Sequence, residues 1–136
     1  MKIEEQVLSR EQMAHLVELG VDTSDASMAW FMSPKTNQWK IKVKNNFSHE
    51  LLLRLSPERY IPTYTIGDLI EKLPKHIDGG YETYLSITDD QLFGDWCVCY
   101  ESKWGSETDW FTSSNLLTAL YDCLCWVAEN HKKLIK

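Results

Sequence analysis

The stretch from Ser113 to Asn130 constrains this fold more than any other part of the chain. At about 100° per residue, Leu116, Leu120, Leu124 and Val127 fall on one line. Leu117, Ala128 and Tyr121 widen that face on one side and Cys123 on the other, while Thr118, Asp122, Cys125 and Glu129 lie opposite. The stripe is wider than a coiled-coil seam and suits a helix laid on a sheet. Ser113 or Ser114 is the expected N-cap. Asn130 is a natural stop, and Lys132 and Lys133 suit the negative end of the helix dipole. Trp126 falls at the edge of the polar side. It either covers the rim of the core or stands out as an anchor for a partner, a role in which Trp is enriched.

Two further helices carry capping signals. Ser9 and Gln12 have the spacing of a capping box, and Leu8 and Met13 occupy the positions of a hydrophobic staple. Met13, Leu16 and Val17 continue as a short apolar stripe until Gly20, a suitable C′ residue. The second helix starts at Thr65, with Asp68 three residues on, and carries Ile66, Leu69, Ile70 and Leu73 before Pro74 ends it. The segment from Asn45 to Ile61 is ambiguous: Leu51-Leu52-Leu53-Arg54-Leu55 suits a strand or a short helical turn.

Strands are predicted where polarity alternates. Met28–Met32 is one, closed by Ser33-Pro34. In Trp39-Lys40-Ile41-Lys42-Val43-Lys44, the apolar residues take one face and three lysines the other; the lysine row is expected in solvent. Thr83, Leu85 and Ile87 point inward from a strand after Gly79-Gly80. A loop, Asp89 to Asp95, leads to Trp96–Tyr100, apolar on both faces and so expected at the centre of its sheet. Asp109-Trp110-Phe111 is a short final candidate. Helices interrupt pairs of strands instead of alternating with them. That order predicts an α+β fold in a single domain spanning residues 1–136: an antiparallel sheet of about four to five strands with three helices packed on it, the long C-terminal helix covering the Trp96–Tyr100 strand.

The chain has 136 residues, 43% hydrophobic and 25% charged, which is ordinary globular composition. No apolar run approaches the ~18 residues that suggest a membrane span. The acidic N-terminus lacks the apolar region of a signal peptide. The expected location is therefore the cytoplasm. The net charge of −6 is uneven: residues 35–77 hold eight Lys/Arg against four Asp/Glu, and residues 78–129 hold ten Asp/Glu against one Lys. Direct nucleic-acid binding is disfavoured, because neutralising phosphates needs clustered cations.

Cys97-Val98-Cys99 and Cys123-Leu124-Cys125 invite a four-thiolate metal reading. On a helix, however, residues i and i+2 diverge by roughly 200°, so Cys123 and Cys125 cannot aim at one ion as a tetrahedral site requires. Cys97, Cys99 and Cys123 are expected as small buried residues that meet where the strand packs under the helix, with Cys125 pointing away, and no metal or other cofactor is expected. His15, His49, His76 and His131 show no metalloprotease spacing, and neither a nucleophile elbow nor a phosphate loop occurs. Asp89, Asp90 and Asp95 lack the ladder of a calcium loop.

Val7-Leu8-Ser9, Glu11-Gln12-Met13, Leu19-Gly20-Val21-Asp22-Thr23-Ser24, Ala26-Ser27-Met28, Tyr64-Thr65-Ile66-Gly67-Asp68-Leu69 and Leu120–Val127 resemble a family of small uncharacterised proteins carried by bacterial prophages and other mobile elements. The resemblance spans most of the chain, least clearly Lys35 to Arg59. It implies a genomic context and supplies no activity, cofactor or site residue.

The function expected is that of a non-enzymatic accessory protein of a mobile element, acting on another protein, with homo-oligomerisation left open. Trp126, Trp104, Trp110 and Tyr64 are the expected anchors, since aromatics make up 12% of the chain. One alternative is an acidic inhibitor imitating DNA, which requires Asp89, Asp90, Asp95, Glu101, Glu107 and Asp109 to form one continuous surface. Another is a small enzyme whose site is assembled from distant residues.

Overall fold

The computed structural model of the protein describes residues 2–78, 82–90, 94–103 and 110–135, and of residues 78 and 90 the backbone alone. The fold is α+β, with the strands in two antiparallel sheets. Two compact units succeed one another along the chain, Met1–Asp68 and Leu69–Lys136.

In the first unit, α1 (Arg10–Glu18) begins as the sequence predicts. Ser9 Oγ accepts from Gln12 N–H at 3.1 Å and Gln12 Oε1 accepts from Ser9 N–H at 2.9 Å. The staple residues Leu8 and Met13 are buried. Gly20 closes the helix with φ 87°, a conformation that costs a residue without Cβ little. Three strands follow: β1 (Met28–Met32), β2 (Trp39–Val43) and β3 (Tyr60–Thr63), in the order β2-β1-β3. Asn37, φ 55°, takes the left-handed position of the β1–β2 turn, which Asn tolerates better than most side chains. Pro62 is accommodated because β3 is an edge strand, where a missing N–H breaks no ladder on the outer side.

The ambiguous segment resolves into a helix, α2 (His49–Arg54), capped by Ser48 Oγ on Leu51 N–H at 3.1 Å. Leu51 and Leu55 pack with Tyr60 against a buried cluster of Ala29, Phe31 and Phe47. Phe47 meets Phe31 and Tyr60 edge-on, each at 5.2 Å between ring centroids. Lys40 and Lys42 stand opposite Phe31 and Ala29 in the β1–β2 register, so the lysine row shares this cluster's face of the sheet. Lys42 is half-buried, its ammonium 5.7 Å from the Phe47 ring. Lysine stems can cover apolar surface while the charged head reaches water. That is why strict alternation did not make this a purely solvated row.

On the opposite face, the Leu8 carbonyl accepts from Trp30 Nε1 at 2.9 Å and from Thr63 Oγ1 at 2.7 Å. Thr65 and Asp68 form the predicted capping box of α3 (Ile66–Lys72), which spans the boundary between the units. Asp68 Oδ2 also accepts from the N–H and hydroxyl of Ser27, tying the loop before β1 to the start of α3.

The second unit contains a meander, β4 (His76–Asp78), β5 (Glu82–Asp90), β6 (Asp95–Glu101) and β7 (Phe111–Ser113), ordered β4-β5-β6-β7. The Trp96–Tyr100 segment is central, as predicted. The β5–β6 ladder runs to the pair Asp90–Asp95, so Asp89, Asp90 and Asp95 belong to strands and not to the loop expected for them. α4 (Leu116–Asn130) packs against β6 and β7 and buries Leu117, Ala119, Leu120, Cys123, Leu124, Val127 and Ala128. Its N-cap is Asn115, whose Oδ1 accepts from Leu117 N–H at 2.9 Å. Of the two serines predicted for that role, Ser113 instead receives the N–H of Asn115 at 3.1 Å. The Tyr100 hydroxyl donates to the Pro74 carbonyl at 2.8 Å, which satisfies a phenol buried in this core.

The strands expected in one sheet thus lie in two. Local alternation marks a strand but carries no information on which distant strand it will pair with. Among the described residues, no helix is long and apolar enough to cross a membrane.

Candidate functional site

The four aromatic residues expected to engage a partner have different fates. Tyr64 belongs to the core of the first unit, with 1% of its surface exposed. Its hydroxyl lies 2.7 Å from Asp25 Oδ1 and 3.1 Å from the Asp22 carbonyl. Burial and the neighbouring carboxylates push its ionisation well above the ordinary tyrosine range. An anchor must reach a partner, so the expectation for Tyr64 is corrected. Trp126 is half-buried. Its ring centroid lies 5.9 Å from Phe111, 6.3 Å from Tyr100 and 5.2 Å from His131, which places it at the rim of the α4 packing. Trp110, just before β7, keeps 62% of its surface exposed. Trp104 lies outside the described residues.

The acidic residues do not assemble into one face. Asp89 pairs with Trp96 at one end of the β5–β6 ladder, and Glu101 pairs with Tyr84 at the other. Tyr84 and Asp89 are an odd number of residues apart, so their side chains leave opposite faces of the sheet. Asp95 lies on the Glu101 side by register, at the far end of the ladder. The continuous acidic surface expected for a DNA-imitating inhibitor is therefore absent from the described part of that set. Glu107 and Asp109 lie outside the described residues, as does the side chain of Asp90.

Among the described residues, no group of three or more His, Cys, Asp or Glu is placed to hold a metal ion. Cys99 and Cys123 are buried, while Cys97 and Cys125 are half-buried. Burial is the largest cause pushing the Cys123 thiol up to about 12, followed by the nearby Cys99. Since the thiolate is the nucleophile, Cys123 should resist a thiol reagent at pH 8 in the native protein and react after denaturation. Mass spectrometry after differential labelling would show this. Rapid native labelling of Cys123 would contradict the packing of α4.

Among the described residues, a concave surface able to take a ligand lies in the first unit, and sequence reasoning missed it. A groove of about 310 Å³ runs between α1 and the edge strand β3. Its lining consists of Arg10, Met13, Ala14 and Val17 of α1, Thr23 of the following loop, and Tyr60, Ile61 and Pro62 of β3. The capping box fixes where α1 begins, and the Leu8 N–H to Tyr64 carbonyl bond, 3.0 Å, fixes how the chain leaves the sheet to enter it. Towards Thr65 the outer side of this segment is met by Val7 in an isolated antiparallel bridge. Alongside Tyr60–Pro62 it faces α1, and the groove lies there.

Val17 was expected to continue the buried stripe of Met13 and Leu16. It is instead 57% exposed, as an apolar wall residue. An apolar residue on the stripe that the core leaves uncovered was the available signal, and helical periodicity cannot separate it from a core residue.

The groove wall holds one charge, Arg10, whose guanidinium carbon lies 4.4 Å from the centroid of Trp39 and 6.0 Å from that of Trp30. Both distances suit cation–π attraction. Thr23 and Tyr60 are the other lining residues with a polar side chain; the Tyr60 ring packs edge-on against Phe47, and burial raises its ionisation. Among the described residues, the lining offers no carboxylate, imidazole or thiol that could serve as a base or nucleophile near neutral pH. It can bind apolar groups beside an acceptor. Compared with known protein families, with curated proteins and with solved structures, the chain shows no match.

Proposed function

We propose that this protein is a binding module that acts by protein–protein contact, and that the groove between α1 and β3 receives a segment of its partner. The observation that carries this reading is the lining itself: apolar side chains on both walls, with a single guanidinium and no general base. Its volume of about 310 Å³ is at the low end for ligand pockets, which span roughly 300–1,000 Å³. That size matches one or two side chains of a peptide. Helix-and-strand grooves of this kind hold peptides by burying a few apolar anchors. The accessory role in a mobile element belongs to the same proposal, as the setting in which such a module would work.

The test is a random peptide-display selection against the whole chain, with affinities of the selected peptides measured by fluorescence anisotropy. Ala14 is exposed on the groove wall, so Ala14→Arg fills the groove at a helical position where arginine is well tolerated. Selected peptides should lose at least about tenfold in affinity on this change, roughly 1.4 kcal/mol. Unchanged affinity for the Ala14→Arg variant, or a selection that yields no binder, would overturn the reading. Trp110 supplies a second, independent arm: binding lost on Trp110→Ala and kept on Ala14→Arg would move the contact to the exposed aromatic before β7.

A further inference from the structure

We infer that the partner segment presents an aspartate or glutamate beside its apolar anchor, and that Arg10 is the receptor for that carboxylate. This rests on the reading of the groove as a peptide site and specifies the partner's chemistry.

Three observations support the inference. Arg10 carries the only charge in the groove lining, so the electrostatic preference of the surface is set by one cation. The guanidinium carbon lies over the Trp39 ring, 4.4 Å from its centroid. A cation–π contact uses none of the guanidinium's hydrogen bonds, so the N–H donors along its edge are not consumed by it. A carboxylate approaching that edge can accept two parallel N–H···O bonds, a match of shape that a lysine ammonium lacks. Finally, Arg10 takes part in no ion pair among the described residues, where the salt bridge present is His15–Glu18 on the exposed side of α1. Its charge is therefore not already neutralised within the described structure. The indoles also hold the long side chain in place, which lowers the ordering entropy that a partner must overcome.

A small amphipathic acid, such as a fatty acid, shares this chemistry but suits the groove less well. Ala14 and Val17 remain exposed on the wall, so an acyl chain laid there would keep much of its surface in water. Ligand pockets commonly bury 70–90% of a small ligand. A peptide has its own side chains to cover the outer part of the strip.

The experiment uses the full chain and a pair of peptides derived from the strongest selected binder. The pair is identical but for Glu or Gln beside the apolar anchor. The Glu peptide is expected to bind the native chain about tenfold more tightly than the Gln peptide, with the difference shrinking at high salt. On Arg10→Gln that preference should fall below about twofold, and Arg10→Lys should restore part of it. The peptide change leaves the protein untouched, so the comparison stands even if an Arg10 variant loses stability.

Equal binding of the two peptides to the native chain would overturn the carboxylate inference while leaving the groove reading intact, provided Ala14→Arg still abolishes binding. Insensitivity of both peptides to Ala14→Arg would remove the groove reading itself. Competition by dodecanoate, dependent on Arg10 and stronger than that of either peptide, would assign the site to a small acid and overturn the peptide.

Discussion

Leu120→Ala is expected to destabilise the protein by about 2–5 kcal/mol, a large part of the roughly 5–15 kcal/mol that stabilises a typical domain. Leu120 has no exposed surface and lies in the α4 row with Leu124 and Val127, each also fully buried. Truncation removes the transfer free energy of the side chain and leaves a cavity that the β6–β7 side of the sheet can only partly close. Leu116 is the internal control. It stands on the same sequence line, one turn earlier, but is only half-buried at the helix start. Leu116→Ala should cost less than half as much. Urea denaturation with matched m-values would measure both. Equal costs at the two positions would mean that α4 does not bury the face it shows here.

Tyr64→Phe is the second large effect, about 1.5–3 kcal/mol from a single oxygen atom. The phenol is buried, and its O–H is 2.7 Å from Asp25 Oδ1. Hydrogen bonds to charged groups contribute more than neutral ones, and their loss leaves an acceptor short of its donor. The aromatic ring is retained, so packing changes little and the measured loss reports the hydroxyl's contacts with Asp25 and the Asp22 carbonyl together. The same variant separates a core role from a binding role. Corrected for the folded fraction, peptide affinity should match the native chain. A variant as stable as the native protein would show that the Tyr64–Asp25 contact contributes nothing, and would reopen the question of how Tyr64 is held.

Raised thiol and phenol ionisation also gives stability a direction at high pH. Cys123, Tyr64 and Tyr100 all have ionisations pushed up, chiefly by burial. Well below the ordinary thiol value of about 8.5–9 these groups are protonated in both folded and unfolded chains. Above it the unfolded thiol releases its proton first, so stability falls as pH rises towards the Cys123 value of about 12.

The start of α1 was legible at Ser9-Arg10-Glu11-Gln12, and that of α3 at Thr65 and Asp68, because a capping box uses groups three residues apart and needs no distant partner. The broad face of α4 was legible for the same reason: 15 residues sample the helical period about four times. Its N-cap is Asn115 and neither Ser113 nor Ser114, since all three are suitable acceptors and only the path of the chain leaving β7 chooses among them. α2 was not decided, because a five-residue apolar run is too short for one period to exclude the other. The lysine row of β2 shows the limit of alternation: it identified the strand and its two faces, but not that Phe47 would pack on the lysine side, beside Lys42.

Local order was therefore determined by the sequence alone: where α1 and α3 begin, the broad apolar face of α4, which segments alternate as strands, that the chain is α+β, and that the helix cysteines diverge. Tertiary structure decided how the strands divide between two sheets, that Tyr64 is enclosed while Trp110 is not, and that α1 and β3 flank an apolar groove walled in part by Arg10. The physical reason is separation. Arg10 and Trp39, or Val17 and Ile61, are brought together only by long-range packing, and no local propensity along the intervening residues encodes that meeting.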